Sequence, residues 1–180
     1  MPSLELNRIR SINDLVHTNK WTFELISVPE PVSSLASVSP GDVLDPYAVT
    51  VDLPVVRISP LEVVHRGLSI NVPGSLDFDK QVNITFLESS KKIVKFFEVW
   101  RAMVSKISIP VSYSTSGSFE GLKGSFSLTM LNRQLKPLFT VIFEGVFVLS
   151  MELGQAVGEK GADVLRPNVT FSYDYFYYDI

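Results

Sequence analysis

The side chains able to do chemistry are few and widely spaced. Asp77 and Asp79 stand two residues apart, so an extended backbone puts both carboxylates on one side, where they could hold a cation or divide acid and base roles. Gly74 and Lys80 beside them are equally the company of an exposed turn, where charges are ordinary. His17 and His65 are the only histidines, and neither sits in an HExxH frame or similar ligand spacing, so no zinc site is expected. Gly117, Gly121, Lys123 and Gly124 lack the spacing of a phosphate-binding loop, and Gly154, Gly158 and Gly161 do not follow the dinucleotide fingerprint. No GxSxG elbow is present to expose a nucleophilic serine. The chain has 0 cysteines, which removes disulfides, thiolate metal sites and cysteine nucleophiles. Neither catalysis, nor a metal, nor a cofactor is therefore expected; a hydrolase assembled from distant positions is the residual enzymatic reading.

Charge and composition narrow the partners. A net charge of −3 argues against a protein that neutralises nucleic-acid phosphates. The cations Lys91, Lys92, Lys95, Arg101 and Lys106 lack the aromatic interleaving used to bind single strands, and a solvated helix face explains them. With 180 residues the chain can bury the core of a single domain, 1–180. Apolar residues make up 46% and charged residues 19%, more apolar surface than a small monomer needs. That surplus fits either a thick core or surface covered by neighbouring copies. The first residues form no continuous apolar run and no later segment has the uncharged length of a spanning helix, so neither a secretory signal nor a membrane span is expected.

The elements that position these residues follow from periodicity. Leu68, Ile70 and Val72 alternate with Ser69 and Asn71 as a half-buried strand, and Pro73-Gly74 supplies a turn. Val82, Ile84 and Phe86 alternate again, after which Ile93, Phe97, Trp100, Val104 and Ile107 recur at steps of three and four. That is a helix on a sheet, with Ser89 or Ser90 available to cap it and Glu88 at the positive end of its dipole. Upstream, Leu4 to Val16 reads as a short helix or an arm (1–18), and Trp21, Phe23 and Leu25 as a first strand. The stretch 29–48 reads as a long loop, either a surface excursion or an arm towards a neighbour. Val49, Val51 and Leu53 start a strand that Pro54 places at an edge or bend, and Pro60 begins a connection to the hairpin.

Downstream, Val111 and Tyr113 read as a short strand, and Phe126, Leu128 and Met130 alternate with small hydroxylic residues. Phe139 to Leu153 is a strand that Gly145 can bend, and the last strand runs from Val169 with aromatic rings on both faces. Asp174 inside that strand needs a partner for its charge, from a neighbouring strand or subunit. The fold class is mainly β (α+β): an antiparallel barrel or sandwich of about eight strands with one principal flanking helix.

The order of Trp21-Thr22-Phe23-Glu24-Leu25, Val72-Pro73-Gly74, Thr85-Phe86-Leu87-Glu88, Phe96-Phe97-Glu98-Val99-Trp100 and Val169 to Tyr175 resembles the tail tube proteins of contractile-tailed bacteriophages and the related type VI secretion tube protein. The resemblance implies a structural protomer of hexameric rings stacked into a hollow tube inside a contractile sheath, with DNA only in transit. It also implies a baseplate, a tape-measure protein, a place in the virion and synthesis in the host cytoplasm. On the same ground Leu53, Pro54, Val55, Leu61 and Val63 are candidates for ring stacking, and Lys91, Lys92 and Lys95 for facing the sheath. Phe171, Tyr173, Asp174 and Tyr175 are candidates for sheet contacts between subunits. A baseplate tube extension or injection-system tube protein is the near alternative, and a ligand-binding β-barrel the alternative of another class.

Overall fold

The computed structural model describes residues 20–36, 47–105, 119–154 and 164–179. The expected helix or arm at 1–18, the loop portion 37–46, the strand at Val111 and Tyr113, and Gly117, Gly158 and Gly161 lie outside the described residues.

Nine strands carry the fold among the described residues: β1 (Trp21–Ser27), β2 (Ala48–Val51), β3 (Val56–His65), β4 (Leu68–Phe78), β5 (Gln81–Phe86), β6 (Gly124–Leu131), β7 (Pro137–Glu152), β8 (Asn168–Ser172) and β9 (Tyr175–Asp179). Two α-helices accompany them, α1 (Glu30–Ala36) and α2 (Lys92–Ser105). Seven strands form one antiparallel sheet in the order β1-β6-β7-β8-β5-β2, with β9 also on β7, while β3 and β4 pair only with each other. Period-two alternation explains the sheet: Phe23 and Leu25, Val82, Ile84 and Phe86, and Phe126 and Leu128 all point into the core.

The seven-stranded sheet curls over on itself. Phe23 on β1 meets Phe86 on β5 edge to face at 5.6 Å, although β6, β7 and β8 lie between their strands in the sheet. The result is an open sandwich rather than a barrel, because β1 and β2 end the sheet without pairing with each other. Helix α2 packs against β7 and the rings of the core and buries Ile93, Phe96, Phe97, Trp100 and Met103. The Phe97 ring sits 4.9 Å from that of Phe86 and 5.5 Å from that of Phe171. Each ring removed from water contributes on the order of 1.5–3 kcal/mol. Where a ligand-binding barrel would enclose a chamber, Phe126 is packed at 4.7 Å from Phe143 and 5.2 Å from Phe23.

The bend expected at Gly145 is present, with φ +68. On one side of it β7 pairs Glu144 with Tyr175, and on the other Phe147 with Ser172, in one unbroken register. The terminal segment is thus a bent partner of β7, split at Tyr173 and Asp174 into β8 and β9, where the sequence predicts one straight strand.

Four other expectations are corrected. Pro73-Gly74 is not a turn: β4 runs through it, and the register shift between Ile58 and Pro60 sets Gly74 and Ser75 opposite Ser59 alone, a bulge in β4. A Cβ at Gly74 would fall on the Ser59 carbonyl oxygen, so glycine is required by the close approach of the strands. The turn lies instead at Arg66 and Gly67, whose φ values of 50 and 82 suit a two-residue hairpin. Pro60 to His65, read as a connection, belongs to β3.

The stretch 29–48 is not wholly loop, since Glu30–Ala36 is helical with Val32 and Ala36 buried one turn apart. The serines are also not the cap of α2. Ser90 and Lys91 take positive φ values of 55 and 64, and the Glu88 carboxylate accepts a hydrogen bond from the Val94 N–H at 2.7 Å.

Candidate assembly interface

The sheet core leaves one large element outside it, the ribbon of β3 and β4. Each residue of β3 is exposed, and β4 is exposed except at Val72 and Phe78. Ten residues at strand rise make the ribbon about 30 Å long. Its composition is that of a buried strand: Leu68 is 70% exposed, Val64 67%, Leu76 63%, Ile58 61% and Leu61 60%.

In the outer half the pairs Leu61–Val72, Val63–Ile70 and His65–Leu68 share one face. Glu62–Asn71 and Val64–Ser69 share the other, where the Ser69 hydroxyl donates to the Glu62 carboxylate. One face of the outer ribbon is therefore a continuous apolar strip in water, which soluble monomers rarely present.

The ribbon joins the body by two short legs. On one side β2 ends at Val51, and Asp52 remains tied to Asn83 by its N–H at 3.0 Å and by a side-chain bond at 3.1 Å. Beyond it Pro54 carries the chain out of the sheet, the bend its sequence position predicts. On the other side Phe78 stacks on Tyr173 at 6.5 Å and meets Phe176 edge to face at 6.2 Å. The Lys80 carbonyl accepts from the Tyr173 N–H at 3.1 Å, and the Asp79 carbonyl accepts from the Tyr173 hydroxyl. Burial, with the Asp79 and Tyr178 charges adding to it, raises the Tyr173 phenol above 10.0.

The residues singled out by sequence divide clearly. Leu53, Val55, Leu61 and Val63 are exposed at the ribbon root or along β3, with Pro54 half-buried between them. Sequence reasoning missed Ile58, Val64, Leu68, Ile70 and Leu76 as surface residues; their alternation was visible, but alternation does not say whether a covering layer exists. Lys91, Lys92 and Lys95 are exposed at the start of α2.

Phe171 and Tyr173, expected at a subunit contact, are 0% and 1% exposed, so their side chains belong to this chain's own core. Asp174 and Tyr175 are exposed. Asp174 finds its partner within the chain, Lys123 Nζ at 2.6 Å. Tyr175 lies on β9, which among the described residues pairs with β7 alone and has its other edge unpaired.

Asp77 lies across the ladder from Arg57, and Asp79 follows in the leg joining β4 to β5. No group of three or more His, Cys, Asp or Glu is placed to hold a metal among the described residues. No helix among them is long and apolar enough to cross a membrane.

No family model matches the chain, and no curated protein matches it in sequence. Solved structures do match its fold. A chain of the 6-fold symmetrised baseplate of the anti-feeding prophage superposes with a TM-score of 0.64 at 8% identity, covering 93% of this chain and 97% of that one. A chain of the sheath/tube terminator of the extracellular contractile injection system PVC gives 0.59 at 11% identity, covering 94% and 100%. A chain of the PVC sheath-tube complex in its extended state gives 0.57 at 13% identity, covering 96% of each. The structural neighbours are components of contractile injection systems, and this chain shares their fold along nearly its whole length.

Proposed function

We propose that the chain is a structural protomer that assembles with its own copies into hexameric rings stacked as a hollow tube within a contractile tail or injection machine. The observation that carries the reading is the β3–β4 ribbon, whose apolar strip is exposed in a single copy. Obligate assembly surfaces have the composition of a core cut in half, and this ribbon has that composition. Leu53, Pro54, Val55, Leu61 and Val63 would then lie at the contact between stacked rings, joined by Leu68 and Ile70 from β4. The edges of β1, β2 and β9 that are unpaired among the described residues offer backbone groups for lateral pairing within a ring, with Asp174 and Tyr175 beside the β9 edge. A contact between two different surfaces closes in a ring and repeats without limit along an axis.

In this reading Lys91, Lys92 and Lys95 face a sheath through steered ionic contacts, and the tube grows on a baseplate around a tape-measure protein. Its site is the virion tail, its synthesis the host cytoplasm, and DNA is a passenger with which a chain of net charge −3 has little attraction. No catalytic role is assigned. A second reading, a ring at the baseplate or at the tube's capped end, is favoured by the likeness to a baseplate chain and to a terminator chain.

Negative-stain imaging and native mass measurement of the purified protein at high concentration test the proposal. Rings of six that stack into tubes support the tube reading, and rings that stay single support the terminal one. A stubborn monomer, even with preformed baseplates added as nuclei, contradicts both.

A further inference from the structure

Phe78 is the one ribbon side chain packed against the core, at the point where β4 rejoins the body. Its ring stacks on the Tyr173 ring, nearly parallel at 16°, and the Lys80 ammonium stands 5.8 Å from its centroid. The third neighbour, Phe176, belongs to β9, the strand whose outer edge is unpaired among the described residues. Immediately beyond Phe78 the backbone is held twice by Tyr173, through Asp79 and Lys80, before the first rung of the β5–β8 ladder at Gln81 and Ser172. On the other leg Asp52 is tied to Asn83, and beyond it Leu53 and Val55 are exposed.

From this geometry we infer that Phe78 is a positioning residue: its ring fixes the direction in which the ribbon leaves the body and ties that direction to the position of β9. A long two-stranded ribbon on two short legs swings unless one leg is anchored, and a swinging ribbon must lose that freedom before it can dock. The aromatic contact removes the freedom in advance. Because Phe176 sits on β9, a second copy pairing along the β9 edge holds the ring cluster still and so holds the ribbon. Lateral contact then prepares axial contact, and rings close before they stack. The part concerning ring order rests on the self-assembly reading; the anchoring of the ribbon does not.

The absence of native cysteines allows a direct test in the full chain. Spin labels at His65→Cys, beside the ribbon turn, and Lys136→Cys, on the body, report the ribbon direction as a distance distribution in dilute protein. In the otherwise unchanged chain the distribution is narrow. With Phe78→Ala it broadens by about twofold or more, as expected when one orientation gives way to several. Phe78→Tyr, which keeps the ring, restores the narrow form. Phe78→Leu keeps apolar bulk without the ring and broadens it, which covers the case in which the alanine variant does not fold.

A distribution as narrow in the alanine or leucine variant as in the parent overturns the inference, and so does a broad distribution in the parent. At high concentration the leucine variant is expected to form rings that do not stack; stacking equal to the parent's contradicts the coupling. If the parent itself never assembles, the proposed function fails, while the distance measurement still decides the anchor.

Discussion

Asp174 lies opposite Gly145 where β7 and its terminal partner bend together, and its carboxylate occupies the space that a Cβ at position 145 would need. The Asp174 N–H donates to the Glu144 carbonyl at 3.0 Å, so the ladder is held through the bend. The corner exists because one strand supplies a residue without a side chain and the other fills the vacated volume. Lys123, at 2.6 Å from the carboxylate, pins it in place from the residue just before β6. Both ends of this ion pair are partly in water, so its contribution is on the order of 1 kcal/mol or less.

Gly145→Ala therefore meets two penalties, a left-handed backbone at φ +68 and a collision with Asp174. The expected loss is about 2–4 kcal/mol in urea unfolding, from αL strain and overpacking together. Gly121→Ala, where a Cβ meets nothing within 4 Å, serves as the control and changes stability by about 0.5 kcal/mol or less. Combining Gly145→Ala with Asp174→Gly removes the collision but not the strain, so the pair costs less than the sum of the two single losses.

The corner also shows where the sequence is legible. Gly145 could be read as a bend because glycine breaks the restraint on φ in an otherwise regular strand. The matching break at Tyr173 and Asp174 could not, since alternation of rings from Val169 to Tyr178 runs on through the bend without a change of period. Strands β1 and β5 and helix α2 are legible for the same reason that they are stable, since each has one buried stripe with its own period, whereas β6 alternates in sequence although its Ser125 and Ser127 face is buried too.

The ribbon shows the opposite case. Leu68, Ile70 and Val72 alternate as half-buried strands do, and the sequence cannot tell a face covered by its own sheet from a face awaiting another molecule. Pro73-Gly74 has the chemistry of a turn but serves a bulge, because the partner strand is already in register on both sides of it. Helix α1 was missed because seven residues containing a proline and two serines give too short a period to detect.

Tyr173 makes stability depend on alkaline pH. Its folded-state phenol titrates above the unfolded value of 10.0, chiefly through burial, so the neutral form is the one the fold holds. The sign follows from linkage: this contribution is fully present below pH about 10 and is lost as pH rises through the higher folded value. Tyr173→Phe is expected to flatten the decline of stability above pH about 10, at a cost of about 1 kcal/mol at neutral pH for the lost hydroxyl bond to Asp79. Urea unfolding between neutral and alkaline pH measures both; a decline as steep in the phenylalanine variant assigns it to other groups.

Glu88 holds the start of α2 from outside the helix. Its Oε2 accepts from the Val94 N–H, while its Oε1 is buried with no hydrogen-bond partner among the described residues. Glu88→Ala removes the cap and is expected to cost about 0.5–2 kcal/mol. The same change moves α2, so Trp100 fluorescence shifts with it, because the Trp100 indole N–H is bonded to the Leu122 carbonyl at 3.0 Å. A stability loss without any change in that fluorescence places the effect elsewhere.

The exposed apolar strip on the ribbon is the claim on which the account depends. Leu68 and Ile70 lie on that strip, outside the core and away from the anchoring ring. Sedimentation velocity of the parent chain and of the Leu68→Lys, Ile70→Lys double variant, paired with urea unfolding of each, tests it most directly. The account predicts that the two chains unfold within about 1 kcal/mol of each other, that the parent sediments as large stacked assemblies, and that the variant stops at single rings or protomers. Equal assembly of the two chains, or a collapse of the variant's stability, contradicts it.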